Sequence, residues 1–373
     1  MAYKVSLIGG GSGGHVYPLM AVAESLKTES AKRGLDLSLR TLGDGDFIKK
    51  ASTEFGVSHS HLLRAKWRPY FSILNLIDLL KVPLVFVQSF FYLWVFMPDV
   101  VFAKGGYSSF IPVLAAKIFF IPVIIHDSDS IPGKANLMMS RLANHIFVSF
   151  DNAKSYFPEN KTTVVGNPSR KDLIVLNDKE SSASYFSLST KKPTVLIIGG
   201  SQGAQIINQV VFDSLLQLAE KFNIIHQVGI SNYEDFNKKV EEMKKKEDEL
   251  HISLINSSYK IYPFFKVEQL KMAYSMADVI VSRAGAGTLF EVSALGKPII
   301  VIPIKESASG HQKQNAIEIY KHGGTYIEEP NLTTHLLIDQ IEKSIQNKDE
   351  IKEKLRGFSN PNSAEIIASY LLP

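Results

Sequence analysis

The chain has 373 residues, 45% hydrophobic and 21% charged. This excludes a disordered or fibrous protein, and the length suits two α/β domains better than one core. Cysteine is absent, so disulfides, thiol catalysis and Cys-based metal sites are excluded and a reducing compartment suits the chain. The net charge of +4 is uneven: Met1–Asn167 hold 17 Lys/Arg against 12 Asp/Glu, the rest 24 against 25. That excess is too weak for a nucleic-acid partner but fits a surface resting on anionic lipid.

In chain order, the first apolar run is Lys4–Ile8, about five residues, too short for a signal-peptide core. It reads as a buried strand entering a glycine loop. Short β-rich runs then alternate with helical patterns, the sign of parallel sheets built from βαβ units. The expected strands of the first half are Lys4–Ile8, Asp36–Thr41, Asp99–Ala103, Pro122–His126, His145–Phe150 and Thr162–Val165. Those of the second are Thr194–Ile198, Asn223–Val228, His251–Ile255, Asp278–Ser282 and Pro298–Pro303. Each half reads as its own doubly wound sheet. A glycine loop follows the first strand of each, IGGGSGGH and IGGSQGAQ, which suggests two similar domains facing one another. The seam is expected near Gly166-Asn167-Pro168, giving domains over 1–167 and 168–359, since irregular Ser-rich sequence follows at Asp178–Thr190. The last amphipathic stretch, Ser363–Leu372 within 360–373, is a candidate for crossing back onto the first domain.

One segment stands apart. Val82–Met97 is almost continuously apolar for 16 residues, preceded by Arg64, Lys66, Trp67, Arg68, Tyr70, Phe71 and Lys81. It falls short of the roughly 20 residues a spanning helix needs, and Pro83 and Gln88 interrupt it. Two readings stand: a buried helix on the sheet, or an aromatic and basic surface dipping into the lipid interface. The mixed run Lys238–Glu249 reads as a solvated helix.

Several residues have the chemistry of a site. Gly9, Gly11 and Gly14 fit G-x-G-x-x-G between strand and helix, where a backbone without Cβ atoms can approach a phosphate. A dinucleotide enzyme would use the same loop, but its acidic ribose partner belongs about 20 residues on, and Asp44 and Asp46 come some 30 after Gly14. His15 follows at a helix start, where the dipole favours a neutral ring able to accept a proton; a capping or solvent-facing role is the alternative. Gly199 to Ala204, with the Ser201 hydroxyl, can cradle an anion. Gly287 and Glu291 lie one turn apart after the expected strand Asp278–Ser282, and a carboxylate there can accept both hydrogen bonds of a ribose diol. The plain alternative is a first-turn acid favourable to the dipole. His311, Gln312 and Asn315 share a helix face, where amides suit sugar hydroxyls. Histidines and carboxylates do not fall at metal-ligand spacing, so no obligatory metal and no cofactor are expected.

Taken in order, GGGSGGHVYP, FAKGGYSS, IIHDSDSIPG, VVGNPSR, IIGGSQGAQ, SRAGAGTLFEVSALGKPIIVIP and HQKQNA resemble the MurG family of N-acetylglucosaminyltransferases over nearly the whole chain. The resemblance implies a GT-B fold of two Rossmann-like α/β domains facing a cleft. It implies transfer of N-acetylglucosamine from UDP-N-acetylglucosamine to the 4-hydroxyl of lipid I, with inversion, by a peripheral enzyme on the cytoplasmic face of the cell membrane. By that resemblance Ser12, Gly13 and Gly14 contact the donor and His15 is a proposed base. Arg170 and Ser201, with Gln202, lie by the diphosphate. Ala286, Gly287, Thr288, Leu289, Phe290 and Glu291 hold nucleoside and sugar, Glu291 on the ribose. Gln312 touches the sugar and Phe265 neighbours the uracil. The chain departs from the family at His126-Asp127-Ser128-Asp129, where the pattern is H-E-Q-N. Asp129 therefore replaces a donor-binding asparagine; an ionised carboxylate accepts hydrogen bonds but cannot give them, and it offers an alternative base. Two other functions remain open from sequence: a related UDP-sugar transferase with another lipid acceptor, and a silent UDP-sugar-binding protein.

Overall fold

The computed structural model describes residues 2–11, 13–64, 73–200, 203–305 and 310–373. The chain divides into two compact units, Met1–Arg170 with Asn360–Pro373, and Lys171–Ser359.

The first unit holds β1 (Tyr3–Ile8), β2 (Leu37–Gly43), β3 (Ser58–His61), β4 (Val100–Ala103), β5 (Val123–Asp127), β6 (His145–Val148) and β7 (Thr162–Val164). They form one parallel sheet in the order β3-β2-β1-β4-β5-β6-β7, with Val5 of β1 in register with Leu39 and Val100. The central strands β1, β4, β5 and β6 are largely apolar and mostly buried, as a parallel sheet covered by helices demands. Val5, Leu7 and Phe102 pack with Val16, Leu19 and Leu26 of the helix Gly13–Lys32. The helix Ser363–Leu371 joins the same core through Ile367, Ala368 and Leu371. Burying Ile367 and Leu371 stabilises this return by about 1.5–3 kcal/mol each. Polar contacts fix its register: Ser363 Oγ donates to the Val165 carbonyl (2.6 Å) and Tyr3 Oη to the Leu371 carbonyl (3.0 Å).

The second unit holds β8 (Thr194–Ile198), β9 (Asn223–Gln227), β10 (Tyr259–Tyr262), β11 (Val279–Ser282), β12 (Ile299–Val301) and β13 (Thr325–Tyr326), ordered β10-β9-β8-β11-β12-β13 and also parallel. In both sheets the chain reverses direction of winding beside the first strand, and there the carbonyl ends of neighbouring strands open a crevice for ligands.

The sequence reading errs in places. His251–Ile255 is not a strand but lies inside the helix Glu249–Ser258, because Asp248 caps it by accepting the His251 N–H (2.8 Å) and burial recurs at a helical spacing, Ile255 and Ser258. The edge strand comes later, as β10. β3 (SHSH) and β13 (TY) are too polar or too short to signal a strand in sequence. The run Lys238–Glu249 is not one helix: its first part ends the helix Tyr233–Lys244, which buries Phe236 and Val240 so that only its outer face is solvated, and Glu249 opens the next helix.

The apolar segment belongs to a longer helix, Ile73–Phe96, with Pro83 inside it. Val85, Ser89, Leu93 and Phe96 face the unit. The opposite face is bare: Leu80 is 71% exposed and Trp94 59%, and Leu84, Val87, Phe91 and Val95 lie between them. Buried packing therefore explains only one stripe. By length and composition Asp78–Phe96 is sufficient to cross a membrane, although its buried stripe ties it to the sheet unit.

Candidate functional site

In the first unit the glycine loop leaves β1 and opens the helix at Gly13. Gly11 has φ +84°, a conformation L side chains rarely adopt. Gly10 abuts Asp44, so a Cβ there would strike the Asp44 carboxylate, and a Cβ on Gly43 would strike the Gly9 carbonyl. His15 is the third residue of the helix and half-buried. Two residues on, the Tyr17 ring packs edge-on to Phe47 (5.4 Å between centroids) and carries the Arg170 guanidinium 4.8 Å above it. Arg170 is thus a buried member of the first unit, its last residue before the second begins. Gly13 and Gly14 are at the accessible start of the helix, and Ser12 lies outside the described residues.

Beyond β2, Tyr107 Oη donates to Asp44 Oδ2 (3.0 Å), and Arg64 Nε donates to Tyr107 Oη (3.1 Å). Burial raises the Tyr107 phenol above its usual range. Lys66, Trp67, Arg68, Tyr70 and Phe71 of the basic, aromatic lead-in lie outside the described residues.

At the end of β5 the HDSD stretch is packed with charge. Asp127 is buried and accepts from Asn136 Nδ2 (2.6 Å) and from the Asp129 N–H (2.9 Å). Burial first, and the neighbouring Asp129 second, push its carboxyl up to about 6. Asp129 itself is partly exposed. His126 is fully buried and pushed well below its usual value by burial, and Lys104 adds to the effect. Lys104, unremarked in the sequence except as part of FAKGGYSS, is fully buried beside it.

In the second unit the glycine loop after β8 takes positive φ at Gly200 (+82°) and Gly203 (+77°), and a Cβ on Gly203 would strike the Val228 carbonyl. Ser201 and Gln202 lie outside the described residues. Gln227, at the end of β9, braces this loop: its Nε2 donates to the Gly200 carbonyl (3.0 Å) while its Oε1 accepts from the Phe265 N–H (3.1 Å). One side chain therefore couples the anion-sized loop to the segment expected beside a base. Phe265 is buried, 4% exposed, and its ring packs against Tyr262, so it offers no stacking face.

Ala286–Glu291 form the first turns of the helix Ala286–Ala294. Ala286, Leu289 and Phe290 face the core; Gly287, Thr288 and Glu291 share the accessible face. Leu289 and Phe290 are buried, so the contacts expected of their side chains are not available there. Glu291 is held by Tyr274, whose hydroxyl donates to Oε2 (3.0 Å) from a position only 1% exposed. Arg283, just before, is paired with Glu329 (2.5 Å) and donates to the Ile302 carbonyl (2.9 Å). Gln312 accepts the Ile304 N–H on Oε1 (3.1 Å). Asn315 is fully buried and donates to the Ala284 carbonyl (3.1 Å), so it secures the helix start instead of facing a sugar. Gln227, Tyr274 and Lys104 escaped the sequence reading because their roles are contacts between distant elements.

The chain is similar to known proteins over nearly its whole length. The glycosyltransferase family 28 N-terminal domain matches residues 5–148, and the family 28 C-terminal domain matches 194–369. A UDP-N-acetylglucosamine–N-acetylmuramyl-(pentapeptide) pyrophosphoryl-undecaprenol N-acetylglucosamine transferase of Treponema denticola is 33% identical, covering 98% of this chain and 96% of its own. A Bacillus cereus transferase of the same name is 30% identical, covering 99% of both chains. The crystal structure of Acinetobacter baumannii MurG shares the fold with a TM-score of 0.73, at 24% identity over 99% of both chains.

Proposed function

The chain belongs to glycosyltransferase family 28, among the UDP-N-acetylglucosamine–N-acetylmuramyl-(pentapeptide) pyrophosphoryl-undecaprenol N-acetylglucosamine transferases, and from that premise we propose which residues carry the reaction. It is a GT-B enzyme that transfers N-acetylglucosamine from UDP-N-acetylglucosamine to lipid I, forming lipid II for peptidoglycan.

In our reading the second unit holds the donor. The backbone N–H groups of Gly199–Ala204, with Ser201 and Gln202, take the diphosphate. The N-terminal turn at Ala286–Thr288 faces the same anion, its first N–H groups being without intrahelical partners. Glu291 accepts from the ribose diol, the Gln312 amide meets the sugar, and Phe265 neighbours the uracil. The first unit binds the acceptor. There Ser12, Gly13 and Gly14 line the loop, His15 takes the proton from the attacking 4-hydroxyl, and Asp129 accepts from a sugar hydroxyl. C1 of the donor inverts as UDP leaves, and Arg170 supports the departing charge, a stabilisation that is largest when the groups are already in place.

The observation that carries the donor assignment is the Gln227 brace, which fixes the glycine loop and the Phe265 backbone with one amide. Calorimetric titration tests it. UDP-N-acetylglucosamine and UDP should both bind, NAD should not, and Glu291→Gln should weaken both uridine ligands about tenfold, the effect of a lost hydrogen bond to a charged group. Unchanged affinity in Glu291→Gln would remove the ribose role.

The bare face of Ile73–Phe96 continues onto the neighbouring helix Tyr107–Ile118 and its end, where Leu114, Ile118 and Phe120 are exposed and Phe119 packs on Phe90 (4.5 Å). An apolar patch of this kind on a soluble unit marks an interaction surface. With Arg64, Lys66 and Arg68 beside it in sequence, we assign it to a peripheral contact with anionic lipid on the cytoplasmic face of the membrane. Neutralising all three should weaken binding to phosphatidylglycerol vesicles by about 1 kcal/mol per charge; unchanged binding would free the patch from that role.

A further inference from the structure

Lys104 directly follows β4 and is fully buried, and among the described residues no carboxylate is in hydrogen-bond contact with it. Its Nζ instead meets three neutral acceptors: His126 Nδ1 (2.5 Å), Ser128 Oγ (2.5 Å) and Asn167 Oδ1 (3.1 Å). Three acceptors match the three donors of an ammonium. Because Nδ1 of His126 accepts, its Nε2 carries the hydrogen and donates to the Gly166 carbonyl (3.0 Å). Ser128 Oγ also donates to Asn167 Oδ1 (3.0 Å). One cation thus ties together the end of β4, the HDSD stretch after β5 and the turn at Gly166–Asn167.

The titratable groups around it are His126, Asp127 and Asp129; Asn167 and, through Asp127, Asn136 contribute amides. A charge buried this deeply is expensive unless opposite charge is near. The two aspartates are that charge: burial lowers Lys104, Asp127 and then Asp129 offset part of the fall, and the balance leaves it lowered to about 7. The reverse also holds. Two carboxylates two residues apart repel, and Asp127 feels Asp129 while Lys104 offsets the effect.

We propose that Lys104 is a positioning residue for the transfer reaction: its buried ammonium supplies the counter-charge for the Asp127–Asp129 pair and, through Ser128, sets the loop that presents Asp129 to the sugar. An asparagine at 129 would need no such cation, so the lysine and the aspartate form a linked pair. This rests on the role assigned to Asp129 above.

A double-mutant cycle on the full-length enzyme, read as kcat and KM with UDP-N-acetylglucosamine and lipid I, tests it. Lys104→Met should lower kcat/KM about 30-fold, and Lys104→Met/Asp129→Asn should regain about tenfold of that loss, a coupling of the size found between residues in one network. In Lys104→Met the acid limb of the kcat/KM profile should move to higher pH, since a carboxylate deprived of a nearby cation binds its proton more tightly. A merely structural lysine would give additive losses and an unmoved limb, and either result overturns the proposal. If Lys104→Met does not fold, Lys104→Gln, which keeps a donor without charge, runs the same cycle. Should Asp129→Asn alone leave turnover intact while the cycle still couples, the role of Asp129 fails and the charge linkage stands. Should Asp129→Asn be costly and the cycle additive, the linkage fails instead.

Discussion

The two units repeat one topology but finish their ligand edges with different chemistry. The edge of the first is titratable: Asp44, Tyr107, Lys104, His126 and Asp127 are buried or half-buried, and several sit far from their usual protonation range. The edge of the second is braced mainly by neutral groups, with Gln227 on the glycine loop, Asn315 on a helix start and the Tyr274 hydroxyl on Glu291, beside the Arg283–Glu329 ion pair. A phosphate-bearing donor needs fixed backbone donors and an unchanging shape, which amides and hydroxyls provide at any pH. An acceptor hydroxyl that must lose a proton needs groups whose proton affinity has been adjusted. This difference accords with the proposed division, in which the second unit binds the donor and the first carries the proton transfer.

Substitutions should then divide by unit, and the largest effect belongs to the first. His15→Ala should lower kcat by about 10²–10⁴-fold with donor KM nearly constant, the loss of a positioned base. If His15→Ala keeps near-normal turnover at saturating donor while Asp129→Asn loses it, the proton goes to Asp129 and the comparison survives with its base reassigned. In the second unit, Tyr274→Phe should raise donor KM about tenfold with kcat little changed, because Glu291 loses a fixed hydrogen bond without losing its charge. A fall in kcat with constant KM would blur the division between binding and reacting halves.

Much of this was legible in sequence, and for physical reasons. Strands such as Thr194–Ile198 announce themselves because a parallel sheet buried on both faces needs continuous apolar runs. The glycine loops are visible because Gly11, Gly200 and Gly203 occupy backbone conformations other residues resist. The substitution at Asp129 was visible too, but its consequence was not. That consequence depends on Lys104, 25 positions earlier, whose burial and partners arise only when β4, β5 and the turn at Gly166 come together. Phe265 is matched to the uracil by resemblance, whereas folding buries it and ties its N–H to Gln227, a burial that its residue type does not reveal. His251–Ile255 was misread because five residues of mixed polarity cannot separate strand from helix, and the deciding contact is the Asp248 cap just before them.

The most direct test of the whole account is transfer of radiolabelled N-acetylglucosamine from its UDP donor to lipid I by the purified protein. The account predicts label in the lipid fraction as lipid II, with release of UDP, and loss of that signal in His15→Ala. Donor binding without labelled lipid II, or label appearing on another lipid in preference to lipid I, would contradict it.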